Sequence, residues 1–91
     1  MHEMSMATEV CRIAEQHLVA AAAEGMPPPR LLELGLEVGD DAGVELENLL
    51  FCVEALLAGP PFDGAKAVVS RVSGDVLRVT YLEVEDGGSD D

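Results

Sequence analysis

Two proline-containing breaks constrain the fold of this chain more than any other feature. The first is Pro27-Pro28-Pro29, which follows Gly25, and the second is Gly59-Pro60-Pro61. Proline lacks a backbone N–H and fixes φ, so it cannot continue a helix or occupy the interior of a sheet. Any helix that precedes one of these breaks must therefore end there, and the chain is divided into three stretches.

The first stretch is predicted to be an amphipathic helix over residues 5–24. Its apolar positions recur at three- and four-residue spacing, and the recurring residues are Met6, Val10, Ile13, Ala14, His17, Leu18 and Ala21. Ser5 is the predicted N-cap and Gly25 the predicted C-cap. His17 lies at the border of the apolar stripe, roughly 20 Å along the helix from its start. We therefore interpret it as a boundary residue that cannot share a metal ion with His2.

The second stretch is predicted to contain a strand and then a helix. Residues 31–38 alternate strictly, which places Leu32, Leu34, Leu36 and Val38 on a buried face and the intervening residues on the other. Residues 45–58 form the predicted second helix, with an apolar face of Leu46, Leu49, Leu50, Val53, Leu56 and Leu57. In the loop between them, Asp40 and Asp41 are expected to cap this helix, with an auxiliary oxygen ligand as the alternative.

The third stretch is predicted to form strands over residues 65–72 and 76–84, joined by the tight turn Ser73-Gly74-Asp75 as an antiparallel hairpin. The resulting order α-β-α-β-β predicts an α+β fold, a small two-layer sandwich with a three-stranded mixed sheet and both helices on one face. The crossover between the first two strands would be right-handed if they run parallel. Residues 1–85 are expected to form a single domain, and residues 86–91 a disordered acidic tail.

Charge and cysteine usage exclude several classes of function. The net charge is −13, from 18 acidic and 5 basic residues, which argues against nucleic-acid and membrane-surface partners because phosphates require clustered basic residues. With no apolar run near the ~18 residues of a membrane span and no secretory signal, the protein is expected in the cytoplasm. Cys11 and Cys52 form no C-x-x-C pair, which argues against a zinc site and favours buried free thiols.

No arrangement typical of an enzyme is present. The sequence contains no Ser-His-Asp or Cys-His pattern and no phosphate-binding glycine loop, and such a short chain offers little room for a substrate pocket. We therefore expect a binding protein and not an enzyme.

The residues that favour metal chemistry are Met1, His2 and Glu3. A free amine on Met1 and the amide nitrogen and imidazole of His2 can close adjacent chelate rings on one metal ion. The amide nitrogen of Glu3 would complete a roughly planar set of four nitrogens. That geometry suits Ni(II), with Cu(II) also able to bind in vitro, whereas zinc prefers a tetrahedral site. The alternative interpretation is a frayed, solvated terminus.

Six short segments, in order along nearly the whole chain, resemble one protein family. They are residues 1–7, 34–39, 44–45, 49–55, 64–67 and 77–85, with sequences MHEMSMA, LGLEVG, VE, LLFCVEA, GAKA and LRVTYLEVE. This set is similar to the HypA/HybF family of nickel metallochaperones that act in hydrogenase maturation. The resemblance implies a nickel-binding domain. The family's zinc ribbon, which lies between the last two strands, is replaced here by Ser73-Gly74-Asp75.

The resemblance also implies a function and partners. Met1, His2 and Glu3 would hold Ni(II) for delivery, with the Glu3 side chain or Glu45 as an auxiliary ligand and no zinc bound. The implied partners are a nickel-handling GTPase, the nickel hydrogenase large subunit and, in some cases, urease. The alternative is an interaction or regulatory module that keeps the fold without delivering metal. An exposed sheet face or edge strand could also pair two chains into a homodimer.

Overall fold

The computed structural model describes residues 3–85 and confirms the predicted α+β architecture. The elements are α1 (Glu3–Ala21), β1 (Leu31–Gly39), α2 (Leu46–Leu57), β2 (Lys66–Val72) and β3 (Leu77–Val84). Met1, His2 and the predicted tail at 86–91 lie outside the described residues. None of the helices in the described range is long and apolar enough to cross a membrane.

The three strands form a mixed sheet in the order β2-β1-β3. β1 is parallel to β2 and antiparallel to β3, so the predicted hairpin between β2 and β3 is wrong. Instead, the segment that joins these two strands passes across the carboxyl end of β1. The backbone N–H groups of Gly39, Asp40 and Asp41 donate hydrogen bonds to the carbonyls of Val76, Val72 and Gly74, at 2.7, 2.8 and 2.9 Å.

Gly39 is required by this crossing. A Cβ atom at residue 39 would lie 2.1 Å from the carbonyl oxygen of Gly74, which is a backbone atom that cannot move independently of the turn. Gly74 itself has φ of 98°, in the left-handed region that favours glycine. The close approach of two backbones, and not a hairpin, therefore explains the glycines at this point.

Helix α1 begins and ends earlier than predicted. It starts at Glu3, so Ser5 lies in the first turn and is not the N-cap. It ends at Ala21, and Gly25, with φ of 80°, belongs to a separate turn in which the amide of Met26 bonds to the carbonyl of Ala23. The alanine run has high intrinsic helix propensity but buries little surface here, and short helices depend mainly on packing.

Both helices pack on the face of the sheet that carries Leu34, Leu36 and Val38. The fully enclosed part of the core also includes Ala7, Val10, Cys11, Ala14, Leu18, Leu31, Leu49, Val53, Leu57 and Phe62. Leu32, predicted to be buried, is 38% exposed and Leu31 is buried in its place. The cause is an irregular register between β1 and β3 at this point, which interrupts the strict alternation.

The opposite face of the sheet is not covered by the helices and is largely charged. Glu33, Gly35 and Glu37 point to this face, as the sequence predicted. The Tyr81 ring lies directly over Gly35, since a Cβ atom at residue 35 would come within 2.1 Å of the ring. The Tyr81 hydroxyl donates to Oε2 of Glu33 at 2.5 Å, and Nε of Arg78 donates to Oε1 of Glu37 at 2.8 Å.

Candidate functional site

The beginnings of the two helices are joined by a hydrogen bond. The backbone N–H of Glu45 donates to Oε2 of Glu3 over 3.0 Å. Glu3 is the first residue of α1, and Glu45 is the N-cap of α2. The structure therefore brings together two of the four residues that the sequence predicted as nickel ligands.

The N-cap residue of α2 does not cap the helix with its own side chain. Glu45 has extended backbone angles, φ of −84° and ψ of 112°, and its own side chain makes no capping hydrogen bond. In a capping box, a Glu or Gln at the third helical position bonds back to the amide of the N-cap residue. Here that position is Asn48, and the carboxylate of Glu3 bonds to the N-cap amide instead.

Asp40 and Asp41 do not cap α2, so that prediction is wrong. The carboxylate of Asp40 accepts hydrogen bonds from Arg71 on β2, with both nitrogen–oxygen distances at 3.1 Å. Asp41 contributes its backbone amide to the crossing at the end of β1. The reason is positional, because both aspartates lie several residues before Leu46, where the helix begins. The Asp40 carboxylate binds a cationic side chain, which also weakens its interpretation as a metal ligand.

The described residues contain no preformed metal cluster. Among residues 3–85, no group of three or more His, Cys, Asp or Glu side chains is placed to hold a metal ion. A site built from the terminal amine, backbone amides and one imidazole would not form such a group. Since Met1 and His2 lie outside the described residues, the geometry of the predicted nitrogen site stays a prediction.

The other candidate ligands are placed away from metal chemistry. Cys11 is buried and Cys52 is half-buried, and both are free thiols. Burial raises the pKa of the Cys11 thiol to about 11, which keeps it protonated at neutral pH and unsuited to bind metal. His17 is exposed and lines a groove between α1 and β3, in agreement with its interpretation as a boundary residue.

Sequence reasoning assigned Glu3 mainly a backbone role and missed the hydrogen bond of its side chain. The signal was present in the sequence around the start of α2. Glu45 is a poor N-cap residue compared with Ser, Thr, Asp or Asn, and Asn48 cannot complete a capping box. A helix start without local capping side chains leaves its N–H groups available to a distant acceptor, and the sequence does not identify which one.

The profile of the family described as "Hydrogenase/urease nickel incorporation, metallochaperone, hypA" matches residues 1–80. This chain belongs to the HypA family. The resemblance noted in the sequence is therefore confirmed, and hydrogenase nickel incorporation is the role of the family.

Individual HypA relatives agree with the family match. Over 74 residues, or 81% of this chain, it is 40% identical to the hydrogenase maturation factor HypA of Geobacter sulfurreducens. Over 81% of its length, the chain is also 35% identical to the hydrogenase maturation factor HypA of Azotobacter chroococcum and 38% identical to the one of Geobacter metallireducens. The aligned region spans 60 to 61% of the length of these relatives.

Proposed function

We propose that this chain holds Ni(II) at its N-terminus for delivery during the maturation of a nickel enzyme such as hydrogenase. The ligands would be the Met1 amine, the His2 amide and imidazole, and the Glu3 amide. Nickel is the cargo, so the chain would bind and release it without catalysing a reaction. The observation that supports this proposal is the position of Glu3, whose carboxylate is bound to the amide of Glu45.

The position of Glu3 as the first residue of α1 suits an amide ligand. A metal-bound amide nitrogen loses its proton and becomes anionic. The positive end of the α1 dipole lies at this nitrogen and would favour the anion.

The side-chain hydrogen bond would limit how far the metal-binding residues can move. Glu3 is half-buried and tied to the start of α2, while His2 is its direct neighbour in sequence. Holding ligands near their bound geometry reduces the entropy lost on binding. Glu45, whose side chain is exposed, would be close enough to Glu3 to serve as an auxiliary oxygen ligand.

Calorimetry with Ni(II) tests the proposal directly. The variants are His2→Ala and a chain with one additional residue before Met1, which displaces the amine from the chelate. His17→Ala is the matched control, because it removes the other histidine of the chain, which is exposed on α1. We expect the first two variants to lose binding and the control to retain it. Equal binding by all four proteins would overturn the proposal.

Spectroscopy and pH dependence provide a second test. A planar four-nitrogen Ni(II) site is diamagnetic and has a visible d–d band, so the loaded protein should show both. Binding should weaken as the pH falls, because the amine, imidazole and amide ligands all release protons. Cu(II) is expected to bind the same nitrogens more tightly in vitro, following the general order of affinities. Selection of nickel would then depend on metal supply and partners.

The partners proposed from the family are a nickel-handling GTPase and the nickel hydrogenase large subunit, with urease as a further recipient, all in the cytoplasm. The short junction Ser73-Gly74-Asp75, where the resemblance implies a zinc ribbon in the family, favours one alternative, an interaction module that keeps the fold without metal delivery. Recovery of partners from cell extract, with and without nickel, distinguishes metal delivery from the interaction module. Recovery that is unaffected by nickel and by His2→Ala would favour the module.

A further inference from the structure

The edge strand β3 has a sequence pattern that is complementary to itself. Leu77, Val79, Leu82 and Val84 pair with inward-facing positions of β1, whereas Arg78, Tyr81 and Glu83 pair with outward-facing ones. The register shifts opposite Gly35 and Leu36, which leaves Thr80 as the extra residue of a bulge. As a result, residues at equal distances on either side of the point between Thr80 and Tyr81 face the same side of the sheet. For example, Val79 and Leu82 both face inward, and Arg78 and Glu83 both face outward.

We propose that β3 pairs antiparallel with β3 of a second copy of this chain, around a two-fold axis between Thr80 and Tyr81. In this register Leu77 lies opposite Val84 of the second copy, and Val79 opposite Leu82. Arg78 lies opposite Glu83 on the outward face, once on each side of the axis. Each pair consists of residues that face the same side of the sheet, as antiparallel pairing requires.

The charges favour this pairing at β3 over the same pairing at β2. Glu83 is exposed, and the Arg78 side chain is 63% exposed. Arg78 uses Nε to bind Glu37, but a guanidinium has five N–H donors and can bind two carboxylates at once. The charged residues of β2 are Lys66 and Arg71, both cationic, so two copies of β2 could form no ion pair with each other.

The helix side of β3 also leaves apolar surface for a second copy to cover. A groove of about 490 Å³ runs between α1 and β3, lined by Ile13 and His17 on the helix and by residues 77–82 on the strand. The inward-facing Leu77, Val79 and Leu82 are only half-buried. Continuing the sheet through the axis would place apolar side chains of the second copy beside them, and would pair the exposed backbone groups of this edge.

The overall charge of −13 opposes association of two copies at low ionic strength. Physiological salt screens interactions between charges that are more than about 8 Å apart. It therefore reduces this long-range repulsion more than it weakens the attraction between charged side chains in direct contact. We therefore expect a weak, concentration-dependent dimer, with a dissociation constant between about 1 µM and 1 mM. Charge complementarity would mainly fix the register and not supply the affinity.

Sedimentation equilibrium in 0.15 M salt, up to about 1 mM protein, tests for the dimer. Thr80→Lys places two cations near the proposed axis and should shift the protein to monomer. Ser70→Lys makes the same charge change at an exposed residue of the other edge strand and should leave the dimer intact. The inference is overturned by a monomeric native chain, by equal effects of both variants, or by a mass that grows beyond the dimer. The last result would indicate open-ended pairing of β3 with β2.

A mixing experiment tests the register itself. Arg78→Glu gives a strand with two acids, and Glu83→Arg gives one with two bases, so each variant alone should self-associate at least tenfold more weakly than the native chain. Mixed together, they should form a heterodimer that native mass spectrometry separates from either homodimer. Circular dichroism checks that both variants are folded. Mixing that yields only monomers of two folded variants overturns the proposed register. Because this test uses no metal, it can fail while the nickel proposal holds, or the reverse.

Discussion

Glu3 and Glu45 are 42 residues apart in the sequence and are joined by a 3.0 Å hydrogen bond between the carboxylate of one and the backbone amide of the other. This contact links the beginning of α1, which includes the proposed ligand Glu3, to the beginning of α2. Glu3 is therefore part of the packed fold. Substitutions of its side chain should change both the free energy of unfolding and the affinity for nickel.

Glu3→Ala should lower the free energy of unfolding by about 1 kcal/mol, since the Glu45 amide loses its acceptor. Glu3→Gln should destabilise the fold less than Glu3→Ala, because glutamine keeps an acceptor oxygen for the Glu45 amide. It should still be less stable than the native chain, since the hydrogen bond loses its charge assistance. Both would retain the backbone amide, so nickel should still bind, with lower affinity in the alanine variant. Urea denaturation and calorimetry measure the two effects. Glu15→Ala, an exposed acid on the same helix, serves as the control, and an equal effect there would contradict the prediction.

Gly35→Ala should destabilise the fold by about 1 to 3 kcal/mol, the usual range for an overpacked site. The added methyl group would occupy the space of the Tyr81 ring and displace the hydroxyl from Glu33. In a Tyr81→Ala background the same substitution should cost much less. Gly59→Ala is the control, since a Cβ atom there meets nothing within 4 Å. A cost for Gly35→Ala that does not depend on Tyr81 would show that another contact is responsible.

Stability should fall at alkaline pH in a way that depends on Tyr81. The hydrogen bond to Glu33 raises the pKa of Tyr81 above its usual value of 10.0. A raised pKa in the folded state stabilises the protein fully below pH 10, and this contribution is lost as the pH rises through the raised value. The native chain should therefore be more stable than Tyr81→Phe at pH 8. This difference should decline as the pH rises above 10 and should be lost above the raised pKa of Tyr81. The measurement is the free energy of unfolding of both proteins, by denaturation, across this pH range. A difference between them that does not change with pH would contradict the prediction.

The two cysteines should differ in reactivity toward iodoacetamide. Cys11 is buried and its pKa is raised to about 11, so almost none of it is thiolate at pH 8. Cys52 is half-buried and should react slowly. Mass spectrometry should detect one label on the folded native chain and none on folded Cys52→Ser. The native chain unfolded in urea should carry two labels. Rapid labelling of Cys11 in the folded protein would be inconsistent with the packing of α1.

Periodicity alone was sufficient to predict the helices and strands, because each one buries a face whose spacing is visible in the sequence. It was not sufficient for the pairing of the strands. Ser73-Gly74-Asp75 has the composition of a hairpin turn, and nothing local indicates that the end of β1 lies between β2 and β3. The bulge that exposes Leu32 also depends on a partner strand distant in sequence.

The candidate site was predictable to a similar degree. Glu3 was predicted as a ligand from the nitrogens of the first three residues, and Glu45 by resemblance to the HypA family; the structure brings the two residues together. Their hydrogen bond depends on how α1 packs beside α2, which spacing does not reveal. For the same reason, the capping role expected of Asp40 was wrong, because its partner Arg71 lies on a strand whose position could not be predicted.

The arrangement of the sheet has a consequence for how this domain can vary. Because β1 lies between β2 and β3, the chain must cross about 10 Å, or two strand spacings, to pass from one outer strand to the other. The four residues 73–76 bridge that gap here, and a far larger insertion whose two ends are equally far apart could do so as well. Additional modules could be gained or lost at this junction while the helices and sheet keep their places.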